Sequence, residues 1–339
     1  MSTRLVTSAA CGGAALAILG ALGLGVIAEK RGVANAKREW PAWVYCTDID
    51  GVHILEAETG RTGEIVGLHA EPDSSLAPDG SAVFFSSELD DHPGIWRLPT
   101  VVGKATVGKR KKWSEVRREC RQLTTGASDR DPMVSPDGRL LAFSREGRIA
   151  VAAADGRDVR LVSLPNPYGR VGRKRFLGDL GPAWSPDGTR IVYTRAEIGR
   201  APQLWLFRLA TGDNVQLTRE GDLGTPGTHS PTWGPSGHTI AAIRNNCPTM
   251  LSDPCGDLQE GHLVFMDPTN GAEIAEWPAG SVETLVGWLP AGNGVAFVSG
   301  LALFVAVFPN GFGGDTAVVN RIATGVGSGA AIEWDRTGR

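Results

Sequence analysis

The stretch PAWSPDGTRIVYTR, residues 182–195, joins a tryptophan, a Ser-Pro-Asp-Gly turn and an alternating apolar run. Pro186 presets the backbone φ angle of a turn, and Gly188 supplies the positive φ that lets the chain reverse its direction. Asp187 can accept hydrogen bonds from the backbone amides that follow it. The stretch therefore predicts a strand that ends near Trp184, a tight turn and a second strand.

Five copies of this phrase recur along the chain, at SLAPDGSAVFF (75–85), PMVSPDGRLLAF (132–143), PAWSPDGTRIVY (182–193), PTWGPSGHTIAA (231–242) and VGWLPAGNGVAF (286–297). Their turn glycines are spaced by 58, 50, 49 and 55 residues, an interval typical of an array of supersecondary units. After each turn the sequence continues with an alternating strand, a polar loop, a second strand and a short third strand. With the strand before the turn, each unit is predicted to form a four-stranded antiparallel sheet, which is a propeller blade.

The two ends of the chain complete the count of blades. Residues 42–68 predict three strands of a first blade without a preceding tryptophan-containing strand. The segment AAIEWDRTGR, residues 330–339, matches the repeated phrase up to its turn, with Trp334 at the position of Trp184, Trp233 and Trp288. We therefore predict an all-β, six-bladed propeller in which the C-terminal strand completes the first blade and removes exposed sheet edges. One large ring per blade is expected to pack between neighbouring sheets.

The turn aspartate has a second interpretation, as a metal ligand or an acid. It recurs as Asp79 and Asp137 but is replaced by Ser236 and Ala291 in the remaining copies. A position that tolerates serine and alanine favours a role in the turn. The sequence thus predicts that Asp187 is structural.

The phrases VSPDGRLLAFSR and WSPDGTRIVYTR, with RQLTTG and VQLTRE ahead of successive repeats, resemble the repeats of TolB-like six-bladed β-propellers. The resemblance covers about residues 42–339 and implies the propeller fold. Similar repeats serve as protein-docking platforms, as gating domains of prolyl-oligopeptidase-type peptidases, and as lyase or hydrolase propellers, so the resemblance selects no single function. TolB carries an α/β domain before its propeller, which we predict to be missing here, and the role of TolB itself is therefore not implied.

Residues 5–28 contain no charged side chain. As a helix they would span about 36 Å, which is enough to cross a bilayer. We predict a signal anchor or signal peptide at residues 1–28, a linker at 29–41 and the propeller at 42–339. A retained apolar helix would hold the propeller at the cell membrane, outside the cytoplasm, whereas cleavage would give a secreted protein. Export argues against nucleic acid as a partner.

Blade order assigns each long loop to one rim of the ring. Loops that join the second strand of a blade to the third, or the fourth strand to the next blade, share the mouth rim, and the repeated turns lie on the opposite turn rim. On the mouth rim the sequence places an acidic group and a basic group, Asp48, Asp50, Asp90, Asp91, His92, Arg170, Arg173, Lys174 and Arg175. Such a mouth could hold a charged ligand or a complementary partner segment. The alternative is that these long polar loops are simply solvated.

A second basic insertion, residues 101–119, is predicted on the turn rim. Its cations flank one tryptophan, in the set Lys109, Arg110, Lys111, Lys112, Trp113, Arg117 and Arg118. Basic residues around a tryptophan suit an anionic membrane surface, an anionic wall polymer or an acidic protein. A solvated loop is again the alternative.

Cysteine usage fits an oxidising compartment. Cys247 and Cys255 lie in one loop and are predicted to form a disulfide. Cys46 and Cys120 fall on the first and second blades, and the sequence leaves their pairing open. No Cys-x-x-Cys pair with a nearby histidine completes a zinc set, so neither a metal nor another cofactor is predicted.

The sequence contains no Gly-x-Ser-x-Gly elbow, no His-Glu-x-x-His and no phosphate-binding Gly-x-x-x-x-Gly-Lys-Ser loop. We therefore interpret the chain as a non-catalytic extracytoplasmic scaffold that binds another envelope protein or an anionic envelope component. The alternative is a propeller enzyme, a lyase or a metal-assisted hydrolase, with its site at the mouth. The composition, with 42% hydrophobic residues and a formal net charge of −3, is that of a globular chain and fits both classes.

Overall fold

The computed structural model describes residues 41–87, 93–165, 178–197, 200–219, 227–245, 261–277, 282–312, 317–326 and 329–334. Within these ranges no helix has the length and apolar character that crossing a membrane requires. The predicted apolar helix at residues 1–28, the linker up to residue 40 and residues 335–339 lie outside the described ranges.

The described residues form 25 strands and two short helices. The first twelve strands are β1 (Pro41–Asp48), β2 (Gly51–Glu56), β3 (Arg61–Val66), β4 (Ala70–Leu76), β5 (Ala82–Ser87), β6 (Gly94–Pro99), β7 (Arg110–Lys112), β8 (Arg121–Gln122), β9 (Arg130–Val134), β10 (Leu140–Arg145), β11 (Arg148–Ala153) and β12 (Arg160–Leu161). The others are β13 (Gly178–Trp184), β14 (Arg190–Ala196), β15 (Gln203–Arg208), β16 (Asn214–Gln216), β17 (Gly227–Trp233), β18 (Ile240–Asn245), β19 (His262–Met266), β20 (Glu273–Trp277), β21 (Thr284–Trp288), β22 (Gly294–Ser299), β23 (Ala302–Val307), β24 (Val318–Thr324) and β25 (Gly329–Trp334). The helices are α1 (Thr100–Lys104) and α2 (Trp113–Val116), and a 3₁₀ turn follows at Arg117–Glu119.

The strands form six sheets, which are the blades of a propeller. From the inner strand outward, blades 2 to 6 are β4-β5-β6-β8, β9-β10-β11-β12, β13-β14-β15-β16, β17-β18-β19-β20 and β21-β22-β23-β24. Blade 1 is β25-β1-β2-β3, with β7 added at its outer edge. The inner strands contact one another in order around the ring, from β25 to β4 and onward to β21 and back to β25. The prediction of six four-stranded antiparallel blades is confirmed, and blade 1 has one additional strand.

The C-terminal strand closes the ring, as the sequence predicts. β25 pairs antiparallel with β1, with Trp334 opposite Pro41 and Ile332 opposite Val44. Apolar side chains of blades 6 and 1 share one core cluster, and Trp334 packs against it. The first and last described strands are therefore held together by a backbone ladder and by a common buried interface.

Buried tryptophans join neighbouring blades. Trp184 of blade 4 donates its indole N–H to the carbonyl of Met133 in blade 3, with an N–O distance of 2.9 Å. Trp288 of blade 6 makes the equivalent bond to Thr232 of blade 5 at 3.2 Å. Trp233 is also buried, and its indole nitrogen has no hydrogen-bond partner within the described part of the chain. In two blades a hydrogen bond thus fixes the ring that packs between the sheets.

The turn aspartate caps its own turn. Asp187 Oδ1 accepts hydrogen bonds from the Ser185 hydroxyl at 2.5 Å and from the Thr189 amide at 3.0 Å. The bond from Ser185 is the largest influence that lowers the pKa of the Asp187 carboxyl to about 2. Gly188 has a φ of 69°, which glycine adopts without steric penalty. The side chain is therefore an ionised turn cap, and it is committed to its own backbone.

Candidate functional site: a basic strap on blades 1 and 2

The basic insertion leaves β6 of blade 2 and returns at β8, and its residues 100–120 are called the basic strap below. It starts at the turn rim as α1 and then runs along the outer edge of blade 1. There β7 pairs in parallel with β3, placing Arg110 opposite Glu64 and Lys112 opposite Val66. Because β3 runs from the turn rim toward the mouth rim, the strap runs in that direction along the outer edge of blade 1.

The strap was predicted to lie on the turn rim, but only its first part does. Backbone hydrogen bonding explains why the rest follows the outer edge of blade 1. The outer strand of a blade presents unpaired N–H and C=O groups, which are satisfied when another strand adds to the edge. The amide of Glu64 donates to the carbonyl of Lys109 at 3.1 Å. Gly63 permits the close approach, since a Cβ there would lie 2.5 Å from Thr106 Oγ1. The strap therefore covers an edge that the repeat pattern alone leaves open.

Trp113 anchors the strap in the core between blades 1 and 2. Its side chain is 7% exposed. The ring packs edge-on against Trp96 with 5.2 Å between centroids, and against Phe85 with 6.5 Å. Val116, at the end of α2, is also buried. The expectation that Trp113 belongs to a contact surface is therefore corrected, because aromatic partners on β5 and β6 remove the ring from solvent.

The other end of the strap is fixed by Lys104 of α1. Its ammonium lies 2.8 Å from the Glu333 carboxylate and 4.9 Å from the centre of the Trp43 ring. Glu333 also accepts a hydrogen bond from the Tyr45 hydroxyl, and burial together with the Glu333 charge raises the pKa of that phenol. Trp43 and Tyr45 lie on β1 and Glu333 lies on β25, so α1 contacts both strands that close the ring.

Between Lys104 and the end of the 3₁₀ turn at Glu119, the strap presents basic side chains to solvent. Lys111 is half-buried, and the exposed cations are Lys109, Arg110, Lys112, Arg117 and Arg118. Arg110 forms an ion pair with Glu64 at 3.2 Å while remaining 72% exposed. The strap contains seven Lys or Arg and two Glu, a net charge of +5 in a chain whose net charge is −3. A fixed cationic surface of this kind attracts acidic proteins, anionic polymers and anionic headgroups.

The mouth rim is described only in part. Asp90, Asp91, His92, Arg170, Arg173, Lys174, Arg175, Cys247 and Cys255 lie outside the described residues. Asp48 caps the β1–β2 turn, where its Oδ1 accepts hydrogen bonds from the amides of Asp50 and Gly51 and lies 3.1 Å from His53 Nε2. The Asp50 side chain is exposed. Among the residues that the structure describes, no three His, Cys, Asp or Glu side chains are grouped as metal ligands.

Two ion pairs near the mouth rim are absent from the sequence predictions. Asp179 on β13 and Arg195 on β14 form a bidentate pair at 2.7 and 2.8 Å, with the carboxylate fully buried. The Ser163 hydroxyl also donates to Asp179. Asp129 and Arg145 repeat the arrangement in blade 3. In both blades the aspartate lies five residues before the end of the inner strand, and the arginine directly follows a Ser or Thr of the second strand. This repeated spacing is the sequence signal that could have revealed the two ion pairs.

A chain of hydrogen bonds links the inner strands of blades 2, 3 and 4. The Asp73 carboxylate accepts from the backbone amide of Asp131 at 2.7 Å, and the Asp131 carboxylate accepts from the amide of Gly181 at 3.1 Å. Ser86 and Ser144, on the second strands, donate to Asp73 and Asp131 respectively. Burial, followed by repulsion from Asp131, raises the pKa of Asp73 to about 7. Two carboxylates from equivalent repeat positions therefore connect the blades around the axis of the ring.

The cysteines of blades 1 and 2 are not bonded to each other. Cys46 lies in the core shared by blades 6 and 1, whereas Cys120 packs against the core of blades 1 and 2. Burial, together with the charge of Glu119, raises the pKa of the Cys120 thiol to about 12. A raised pKa disfavours the thiolate, so Cys120 packs against the core as a protonated thiol at neutral pH.

A cavity of about 550 Å³ opens on the turn rim between blades 4 and 5. Its lining includes the ionisable side chains Asp187, Arg190, His238 and Asp267. Both carboxylates cap turns through backbone amides, and the Arg190 guanidinium lies 4.6 Å from the centre of the Trp233 ring. The charged groups of this cavity therefore belong to the turns and to the contact between the two blades.

Comparison with known proteins supports the fold. No known sequence family matches the chain, and no curated protein matches its sequence. TolB from Acinetobacter baumannii is similar over 86% of this chain and 66% of its own length, with a TM-score of 0.56 and 16% identity. A structure assigned to TolB from Agrobacterium tumefaciens is similar over 88% of this chain and 95% of its own length, with a TM-score of 0.53 and 17% identity. A chain of a nidogen/laminin complex is similar over 86% of this chain and 97% of its own length, with a TM-score of 0.55 and 13% identity.

These likenesses define the fold of the described chain. The chain has the fold of TolB-like six-bladed β-propellers, as its repeats predict. It spans slightly less than two thirds of the length of Acinetobacter baumannii TolB. At identities of 17% and below the shared feature is the fold, and the function has to be argued from the residues of this chain.

Proposed function

We propose that the protein is a non-catalytic scaffold whose basic strap binds another envelope protein or an anionic envelope component. Its N-terminal segment holds the propeller on the extracytoplasmic side of the cell membrane, or is cleaved to release a secreted protein. The observation that carries this proposal is that the strap is a folded part of blades 1 and 2, so its exposed cations are held on a fixed backbone.

Two features support the strap over a solvated loop. Burial of Trp113 and pairing of β7 fix the backbone of the strap, which removes most of the entropy that a flexible loop would lose on binding. The buried groups of the strap are apolar or uncharged, and of its exposed cations Arg117 also contacts the core, with its guanidinium 6.0 Å from the centre of the Trp96 ring. At the mouth rim, in contrast, Asp48 is engaged by the turn that follows it.

Crosslinked affinity purification of the full chain from its own membranes tests the proposal. The strap variant Lys109→Glu/Arg117→Glu/Arg118→Glu is compared with wild-type protein and with Arg200→Glu/Arg219→Glu/Arg321→Glu. The latter makes the same charge change at exposed arginines of blades 4 and 6. We expect a specific crosslinked component with the wild type and with the control variant, and its loss with the strap variant. Identical crosslinking profiles for the two variants would contradict the proposal.

A further inference from the structure

The basic strap begins beside the point where the N-terminal segment joins the propeller. Pro41, the first residue of β1, pairs with Trp334 at the turn-rim end of β25. Trp43 follows two residues later on β1, and its ring is 4.9 Å from the Lys104 ammonium. At about 3.3 Å per strand residue, the start of the strap is about 7 Å along the strand from Pro41.

The length of the linker keeps the strap close to whatever holds the N-terminal segment. Residues 29–40 separate the uncharged stretch 5–28 from β1. Twelve residues extend at most about 40 Å. The strand along which the strap climbs, β3, has six residues and is therefore about 20 Å long. A bilayer that contains the uncharged stretch is thus within reach of every cation on the strap.

We infer that the basic strap lies against the anionic surface of the membrane that holds the N-terminal segment. The outer wall of blades 1 and 2 then faces the bilayer, and the mouth rim is left open toward solvent. This inference rests on the proposed function and names the partner of the strap as anionic lipid headgroups.

The charge of the strap matches a headgroup layer. Each Lys or Arg near an anionic leaflet strengthens association by roughly five-fold, and five such side chains are exposed along this wall. Val101, at the start of α1, is 73% exposed and adds an apolar side chain beside the cations. The chain outside the strap has a net charge of −8, so repulsion disfavours the other orientations of the propeller. An apolar segment combined with a basic surface is a two-signal anchor.

Photo-crosslinking in reconstituted vesicles tests this orientation. The full chain carries a photo-crosslinking amino acid in place of Ser114, an exposed neutral residue of α2, or in place of Val215 on the outer strand of blade 4, across the ring. It is inserted into vesicles of phosphatidylcholine with or without phosphatidylglycerol. We expect lipid adducts several-fold more abundant at position 114 than at position 215 when phosphatidylglycerol is present. They should fall to the level of position 215 in pure phosphatidylcholine, and also in about 1 M salt, where the screening length is about 3 Å.

The charge variants sharpen the result. Lys109→Glu/Arg117→Glu/Arg118→Glu should remove the adducts at position 114, whereas Arg200→Glu/Arg219→Glu/Arg321→Glu should leave them unchanged. Equal lipid adducts at positions 114 and 215 would overturn the inference, and so would adducts at 114 that persist in pure phosphatidylcholine. The lipid and salt comparisons leave every charge of the strap unaltered, so they decide the question even if the charge variants fold poorly.

The same probe separates this inference from the proposed function. If position 114 crosslinks to a protein in native membranes, and not to lipid, the bilayer is the wrong partner. The proposed scaffold function then stands, provided that capture of that protein is lost in the strap variant.

Discussion

Trp334, on the last strand, lies directly opposite Pro41, on the first. The ladder that they share joins β25 to β1, and it places the first and last described strands in one blade. Blades 2 to 6 are each built from one continuous piece of sequence, whereas blade 1 is completed by hydrogen bonds between distant segments. The stability of the whole ring therefore depends on this ladder.

Removal of residues 329–339 should lower the melting temperature of the entire propeller. The deletion exposes the inner edge of β1 and opens the core shared by blades 6 and 1. Thermal unfolding followed by circular dichroism measures the effect. Removal of residues 335–339 alone, which leaves β25 intact, is the control and should change little. An unchanged melting temperature after the longer deletion would refute the role of the ladder.

The substitution Trp113→Ala should destabilise the protein by about 3–5 kcal/mol, because it empties an aromatic site between blades 1 and 2. Ser114→Ala, on the next and exposed residue, should change the free energy of unfolding by no more than about 0.5 kcal/mol. Denaturant unfolding measures both values. If the two variants were equally stable, Trp113 would not anchor the strap.

Asp73 should make stability depend on pH. Its pKa in the folded state is about 7, above the ordinary unfolded value near 3.9, so the folded protein binds this proton more tightly. The resulting stabilisation is fully present below about pH 4 and is lost as the pH rises through about 7. In Asp73→Asn this contribution should vanish.

The measurement is the difference in unfolding free energy between wild type and Asp73→Asn across that pH range. A suitable control is Asp79→Asn, since the hydrogen bonds from Ser81 lower the pKa of that exposed carboxyl. The contribution of Asp79 to stability depends on pH in the opposite direction, because it is present above the unfolded pKa and is lost as the pH falls. A flat difference curve for Asp73→Asn would show that its carboxyl titrates normally.

Arg195→Met should cost about 3–5 kcal/mol, because it leaves the fully buried Asp179 carboxylate without its counter-charge. Arg200→Met, which removes an arginine that is 68% exposed and lies 3.7 Å from Glu197, should cost about 1 kcal/mol at most. Chemical denaturation of the two variants under identical conditions compares them. Similar losses would mean that burial does not distinguish the two pairs.

The fold could be predicted because its information is local and repeated. A Pro-Asp-Gly turn after a tryptophan specifies the same strand reversal wherever it occurs, and the truncated phrase around Trp334 reveals how the ring closes. The contacts of Asp187 follow from the same local chemistry, since a side chain that accepts from the Ser185 hydroxyl and the Thr189 amide needs no distant partner.

The candidate site was harder to predict, because its position depends on backbone pairing. β7 joins β3 through N–H and C=O groups that every residue carries, so Arg110 and Lys112 give no sign of the strand beside which they lie. Trp113 could be interpreted either as a surface aromatic among cations or as a core residue, and its contacts with the rings of Trp96 and Phe85 decide between them. The pair Asp179 and Arg195 was detectable in principle, since its spacing recurs in blade 3.

The strap also has a mechanical consequence. A pull on the residues that precede Pro41 would load the β1–β25 ladder at its turn-rim end. Lys104 forms an ion pair with Glu333 at that same end. At the outer edge of the same blade, β7 pairs with β3. The basic strap would thus transfer part of the tension to blade 2 before the β1–β25 ladder could separate.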